Sequence, residues 1–485
     1  MEIKDLKPSL IWNLFVQITQ IPRPSGKEEK IVNFLIDFAK KHQLEVKKDQ
    51  AMNVMIRKPA TPGKENLRTV ILQSHVDMVC EKNSDVDFNF ETGAIQTYVE
   101  NGWVKAKGTT LGADNGIGVA AALAILASTD IEHGPIVALF TSDEENGLTG
   151  ANAMQSDFLP GDILLNLDSE DWGEFCIGCA GGKNTTGFFT YQEVPAPKDY
   201  FWFEIQISGL TGGHSGCDIH KGLGNANKIL ARYLYALSKK CPVILSKIDG
   251  GNLHNAIPRE ASATVGIPMD EKENAIIVSN LLQADLQREL PEEDKAVKLH
   301  LRTVEAPSSA IDEDTGNRLI LALYALPHGE LGWSFDMPGM VETSTNLASI
   351  KMKEGNKIVV TTSQRSATAS LKDNTVNMVS SVFSLAGAEV VSSDGYSGWK
   401  PNPNSSVLQI SEDVFEKISD EKPKVVATHG GLECGLFLEK NPNLDMISCG
   451  PTILGAHSPE ERLEIASVEK WWNFLTELLP SIPEK

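Results

Sequence analysis

Four apolar stretches of this chain each run out into side chains that bind metal ions or move protons. Ile71-Leu72-Gln73-Ser74 leads to His75, and Asp77 follows two residues later. The run over 135–141 stops at Asp143-Glu144-Glu145, and the run over 162–167 stops at Asp168. A strand over 445–449 opens into a loop, 450–459, that carries His457. Asp114 adds a further carboxylate inside the glycine-flanked run Gly112-Ala113-Asp114-Asn115-Gly116, at the start of an Ala-rich helix. Taken singly, each has an ordinary explanation as a core-edge histidine or an acidic loop. Taken together they do not, because the C-termini of parallel strands lie along one sheet edge, and that edge is where ligands bind.

Imidazole and carboxylate without thiolate suit zinc, cobalt or manganese in a catalytic role. The number of ligands suits two ions. Two divalent ions about 3.5–4 Å apart share a bridging carboxylate and a bridging water, and a bound ion brings the pKa of its water down to about 7. Asp114 is the natural bridge, since a tight turn presses its backbone close to the site. His75 and Asp77 point to one face of an extended chain, which is how a ligand and the carboxylate orienting it are often arranged. At a strand exit both members of Glu144-Glu145 enter the pocket. One then binds metal, and the other is free to act as general base, taking a proton from the attacking water and returning it to the leaving amine.

Several further residues carry weaker signals. His214, in Gly212-Gly213-His214-Ser215-Gly216, is placed to donate to an oxyanion, although a histidine in a flexible turn is as common. Asn255 and Arg365 are candidates for binding substrate, and an arginine clamps a carboxylate with two parallel hydrogen bonds. Cys176 and Cys179 form a CxxC with neither a second pair nor a redox context, so they read as structural thiols. Gly116-Ile117-Gly118-Val119-Ala120-Ala121 fits a dinucleotide fingerprint, but no strand precedes it directly and Asp114 would repel a pyrophosphate.

The elements that must position these groups alternate between strand and helix. Helices are expected over 9–20 and 27–42, strands over 46–57 and 70–79, a helix over 119–128, and strands over 135–141 and 162–167. This texture indicates an α/β catalytic domain with a mostly parallel central sheet flanked by helices. It changes after Gly181-Gly182 and returns near residue 398. The organisation expected is a discontinuous catalytic domain, 1–185 and 398–485, with an inserted α+β lid domain over 186–397 that holds two related halves.

Composition narrows the function further. The 485 residues suggest two to three domains, and a formal net charge of −21 argues against nucleic acid or an anionic membrane as partner. No apolar run approaches the roughly 18 residues of a membrane helix. The first residues lack a hydrophobic signal core, and seven scattered cysteines read as reduced thiols, so the chain is expected in the cytoplasm.

With these residues assembled, the chain resembles the di-zinc exopeptidase superfamily of glutamate carboxypeptidases, aminoacylases and dipeptidases. The motifs are Ser-His75-Val-Asp77-Met-Val, Gly-Thr-Thr-Leu-Gly-Ala-Asp114-Asn-Gly, Asp-Glu144-Glu145-Asn-Gly, Asn-Leu-Asp168-Ser-Glu and Gly-Ala-His457-Ser-Pro-Glu. Gly-Gly-His214-Ser-Gly, Asn255-Ala-Ile-Pro-Arg and His-Gly-Gly-Leu-Glu-Cys-Gly further resemble its Xaa-His (aminoacylhistidine) dipeptidases. The resemblance implies hydrolysis of unblocked dipeptides, favouring Xaa-His, with two zinc ions per chain that cobalt or manganese could replace. It implies His75, Asp114 and Asp168 on one ion and Asp114, Glu145 and His457 on the other. Asp77 would orient His75, Glu144 would be the general base, and His214, Asn255 and Arg365 would bind substrate or its tetrahedral intermediate. A homodimer is expected, with a monomer as the alternative. A deacylase or carboxypeptidase-type amidohydrolase is the runner-up activity, and a metal- or peptide-binding protein without turnover is the reading from another class.

Overall fold

In a computed structural model, residues 3–485 are described. The chain divides into two compact units. One comprises residues up to Gly178, Pro401–Ala427 and Leu432–Lys485; the other comprises Cys179–Lys400 and Thr428–Gly431.

The first unit is built on an eight-stranded sheet. At its centre Ile136–Thr141, Val70–His75, Ile163–Asn166 and Asp445–Ser448 lie side by side and parallel. Every residue of the first two is buried, as expected of strands covered on both faces, which read as unbroken apolar runs. The flanks are antiparallel: Val54–Lys58 pairs with Ile136–Thr141, and Glu174–Cys179 meets Asp445–Ser448. The single strand expected over 46–57 is a hairpin, Glu45–Lys48 with Val54–Lys58, turned through Met52 at φ 72°.

The Ala-rich helix, Ala113–Ala127, is buried all round and packs against Val70–His75 and the helix Ser9–Thr19. Its small side chains permit that close approach. Gly118 has no room for a Cβ, which would lie 2.1 Å from Asn115 Oδ1 and 2.9 Å from Leu167 O. The glycines of the dinucleotide-like run therefore serve packing.

The second unit is one antiparallel sheet with helices. Tyr200–Ser208, Ile244–Gly250, Ala261–Pro268 and Lys298–Thr303 lie in the spatial order fourth, first, third, second, with helices Ala226–Ser238 and Lys272–Glu289 as crossovers. Gly181–Thr190, Val341–Lys353, Lys357–Ser366 and Glu389–Ser392 repeat that order, with helices Glu313–Ala325 and Ala369–Leu385. Each set is a β-α-β-β-α-β unit, and they join where Gly250 pairs with Ile350. The first set is nested between the first strand and first helix of the second. The whole first set therefore separates the strand Gly181–Thr190 from the other elements of its own unit. The division falls at 178/179 and 400/401 rather than at 185/186 and 397/398, because Gly181-Gly182 begins a strand instead of a turn. A Cβ on Gly182 would meet the Tyr396 ring at 2.7 Å, so glycine here marks a close approach.

Among the described residues no helix is long and apolar enough to cross a membrane.

Candidate metal centre and its surroundings

The four central strands end at the same edge of the first unit, and each releases one candidate ligand there. His75 is the last residue of its strand. Glu144 and Glu145 follow Ile136–Thr141 after a turn at Asp143, φ 50°. Asp168 lies two residues past Ile163–Asn166. His457, φ 62°, sits in the loop of a hairpin between Ile453–Leu454 and Arg462–Glu464. Asp114 interrupts the start of its helix with non-helical φ/ψ, −76° and 113°, after Gly112 at φ 70°.

Two imidazole nitrogens converge on Asp114 from opposite sides. His75 Nε2 lies 3.0 Å from Asp114 Oδ1 and 3.2 Å from Asp168 Oδ1. His457 Nε2 lies 3.2 Å from Asp114 Oδ2 and 3.1 Å from Glu145 Oε2. Asp114 thus offers one oxygen to each imidazole.

Whether these residues suit a metal pair is decided by donor chemistry and spacing. Metal bonds of about 2.0–2.2 Å in a tetrahedron put ligand atoms about 3.3–3.6 Å apart. The observed separations approach that edge length. Glu145 Oε1 is buried with no hydrogen-bond partner, and a buried anionic oxygen without a partner is costly unless a cation meets it. Ligand atoms of His75, Asp114 and Glu145 all lie within 4.8 Å of one another. The donor set fits divalent ions.

The charges tell the same story. Burial disfavours the charged form of His75, but Asp168, Asp114 and Asp77 around it raise its pKa well above the ordinary imidazole value. Contact with Asp114 and Glu145 pushes His457 up to about 11. Burial raises Glu144, Glu145 and Asp168, and burial beside Asp114 and Asp168 raises Glu170 to about 8. Asp114 moves the other way, because the two imidazoles outweigh its burial. The pocket stabilises positive charge at both imidazole-facing positions.

Asp77 is wholly buried. Its Oδ1 lies 3.3 Å from His75 Nδ1 and accepts from Glu144 N at 3.0 Å, while Oδ2 accepts from Ser25 Oγ at 2.8 Å and Glu145 N at 3.2 Å. Burial opposes its charge, yet His75 and these donors bring its pKa down to about 2. It faces the back of His75 and also pins the Glu144-Glu145 turn.

Four supporting residues carried no signal in the sequence reading. Arg23, wholly buried, donates to Val76 O, Asp77 O and Gly112 O. Asn115 donates to Leu167 O and Asp168 Oδ1. Glu433 accepts from Gln73 at 2.6 Å and Thr141 at 2.8 Å beneath the His75 strand, and burial raises it to about 8. Glu461 accepts four backbone N–H bonds from Leu111, Gly112, Ala113 and Asp114. Arg23, Glu433 and Glu461 lie outside regular elements, so no periodicity betrays them; Asn115, next to Asp114, and Glu461, four positions past His457, were near marked residues.

The second unit holds the remaining candidates. His214 pairs with Ala256 in a short ribbon, and Asn255 O accepts from Ser215 N at 2.8 Å. His214 Nδ1 accepts from Gly216 N at 3.2 Å and Cys217 N at 3.0 Å, which leaves the proton on Nε2. Burial, then the nearby charge of Arg365, lowers its pKa. Arg365 donates to Tyr396 Oη at 2.8 Å, and its buried Nε has no partner. The Asn255 side chain is exposed.

Three comparisons bear on this arrangement. The model of peptidase family M20/M25/M40 matches residues 71–481. The cytosol non-specific dipeptidase of Escherichia coli K12 is 42% identical over 484 residues, covering 100% of both chains. The crystal structure of aminoacylhistidine dipeptidase from Vibrio alginolyticus superposes with a TM-score of 0.92 at 43% identity, over 100% of this chain and 99% of that one. A Staphylococcus aureus tripeptidase, at 17% identity and TM-score 0.57, shares the fold over 98% of this chain and 99% of its own.

Proposed function

The chain belongs to peptidase family M20/M25/M40, and from that premise we propose a metal-dependent dipeptidase that cleaves unblocked dipeptides, Xaa-His among them, with two zinc ions. The observation that carries this reading is Asp114, whose two carboxylate oxygens face two different imidazoles, each completed by a second carboxylate. His75, Asp114 and Asp168 would hold one ion; Asp114, Glu145 and His457 would hold the other. Bound there, a pair of divalent ions would supply Lewis-acid chemistry and a water of lowered pKa.

The protein's own groups do the rest. Asp77 keeps the His75 ring oriented and fixes the Glu144 backbone. Glu144, a carboxylate whose proton affinity burial raises, takes the proton of the water that adds to the carbonyl carbon. It returns that proton to the amine as the C–N bond breaks. His214, neutral with its proton on Nε2, donates to the oxyanion, and Asn255 and Arg365 hold the peptide, Arg365 through its carboxylate.

The names of the two full-length relatives favour dipeptides over N-acyl amino acids and differ on the breadth of specificity. Metal analysis paired with a panel of Xaa-His, other dipeptides, tripeptides and N-acyl amino acids tests the reading. Chelator-sensitive hydrolysis confined to dipeptides is the expected result; preferential cleavage of N-acyl amino acids overturns it in favour of a deacylase. The same proposal includes a cytoplasmic location, in line with the cytosolic relative, and a homodimer, which light scattering of the purified chain measures.

A further inference from the structure

We propose that Glu461 is a positioning residue that sets the second metal position alone, by fastening the His457 loop to the Asp114 turn. The inference rests on the two-ion reading above.

Asp114 and His457 are 343 residues apart, and their meeting depends on two loops. The hairpin bearing His457 pairs with an earlier strand through Arg462↔Lys105, Leu463↔Val104 and Glu464↔Trp103. That pairing delivers Glu461, the residue just before it, beneath the turn at 111–114. Glu461 is 2% exposed. One oxygen accepts from Leu111 N at 2.7 Å and Gly112 N at 2.9 Å; the other accepts from Ala113 N at 2.7 Å and Asp114 N at 3.2 Å. Its own N–H donates to Ser458 O at 3.0 Å, closing the loop that presents His457. A single carboxylate therefore holds both loops that supply Asp114 Oδ2 and His457 Nε2.

The first position is held by other means. Its histidine belongs to a central strand, and Arg23 ties the end of that strand, at Val76 O and Asp77 O, to Gly112 O on the far side of the same turn. Asp168 is steadied by Asn115. None of these contacts is made by the Glu461 carboxylate itself.

The test is titration of metal-free protein with Zn(II) alone against a chelator of known affinity, in wild type, Glu461→Gln, Glu461→Asp and His457→Ala. Glutamine keeps the shape but turns an N–H donor toward backbone N–H groups; aspartate keeps the charge but is one methylene short. Groups that orient metal ligands are worth about 10–100-fold in affinity. The expected result is that both Glu461 variants bind one ion as wild type does and the second about 10–100-fold more weakly, the pattern of His457→Ala. Unchanged binding of both ions, or parallel loss of both, including through failure to fold, overturns the inference. Wild type binding fewer than two ions overturns the two-ion reading instead.

Discussion

His75 and His457 present the same nitrogen to the same carboxylate, yet the fold holds them in opposite ways. His75 ends a strand with parallel neighbours on both sides, and its side chain is 1% exposed. His457 rides a hairpin loop at positive φ, and its side chain is 55% exposed. The first is positioned by the hydrophobic core, the second by a few hydrogen bonds. A buried position resists change because every displacement disturbs packing, whereas a loop position depends on whatever fastens the loop.

That contrast has measurable consequences. The largest effect is expected where neither histidine is touched: Glu144→Gln should lower kcat by about 10²–10⁴-fold, the range for a proton-transfer group, with both Zn(II) ions still bound by titration. Full turnover in that variant removes Glu144 from its role. Next, His75→Ala strips a buried group from among Asp77, Asp114 and Asp168. Breaking a buried charged cluster costs about 3–5 kcal/mol, so the metal-free variant should unfold at clearly lower urea than wild type. His457→Ala should lower the same midpoint less than His75→Ala, because its side chain is 55% exposed and solvent screens its contacts with Asp114 and Glu145, while weakening binding of the second ion. Equal destabilisation by the two alanines would erase the distinction between a core-held and a loop-held ligand. The smallest effect is expected for Asp77→Asn, about 10–100-fold in metal affinity or activity, since the amide keeps the shape and one acceptor oxygen.

The two units differ in a similar way in how legible they were. In the first, buried parallel strands leave unbroken apolar runs, so their exits and the candidate ligands after them stand out in the sequence. His75, Asp114, Glu145, Asp168 and His457 were all marked, and the structure brings them together. The insert is antiparallel with one covered face, and its nested topology hides the strand Gly181–Thr190, whose glycines look like a turn. His214, Asn255 and Arg365 were marked, but the tautomer of His214 and the partner of Arg365, Tyr396, were not.

By itself the sequence determined which chemistry was available: imidazoles and carboxylates at strand exits, a lone CxxC with no second pair to compete, and a motif series shared with metallopeptidases. Residue type and local periodicity are enough for that, because strand burial is written in consecutive residues. Only the tertiary structure decided how Asp114 divides its two oxygens, that Asp77 serves His75 and the Glu144 turn together, and that Arg23 and Glu461 grip one turn from its two sides. Those are contacts between residues tens to hundreds of positions apart, set by which backbone N–H and C=O groups the folded loops leave unsatisfied.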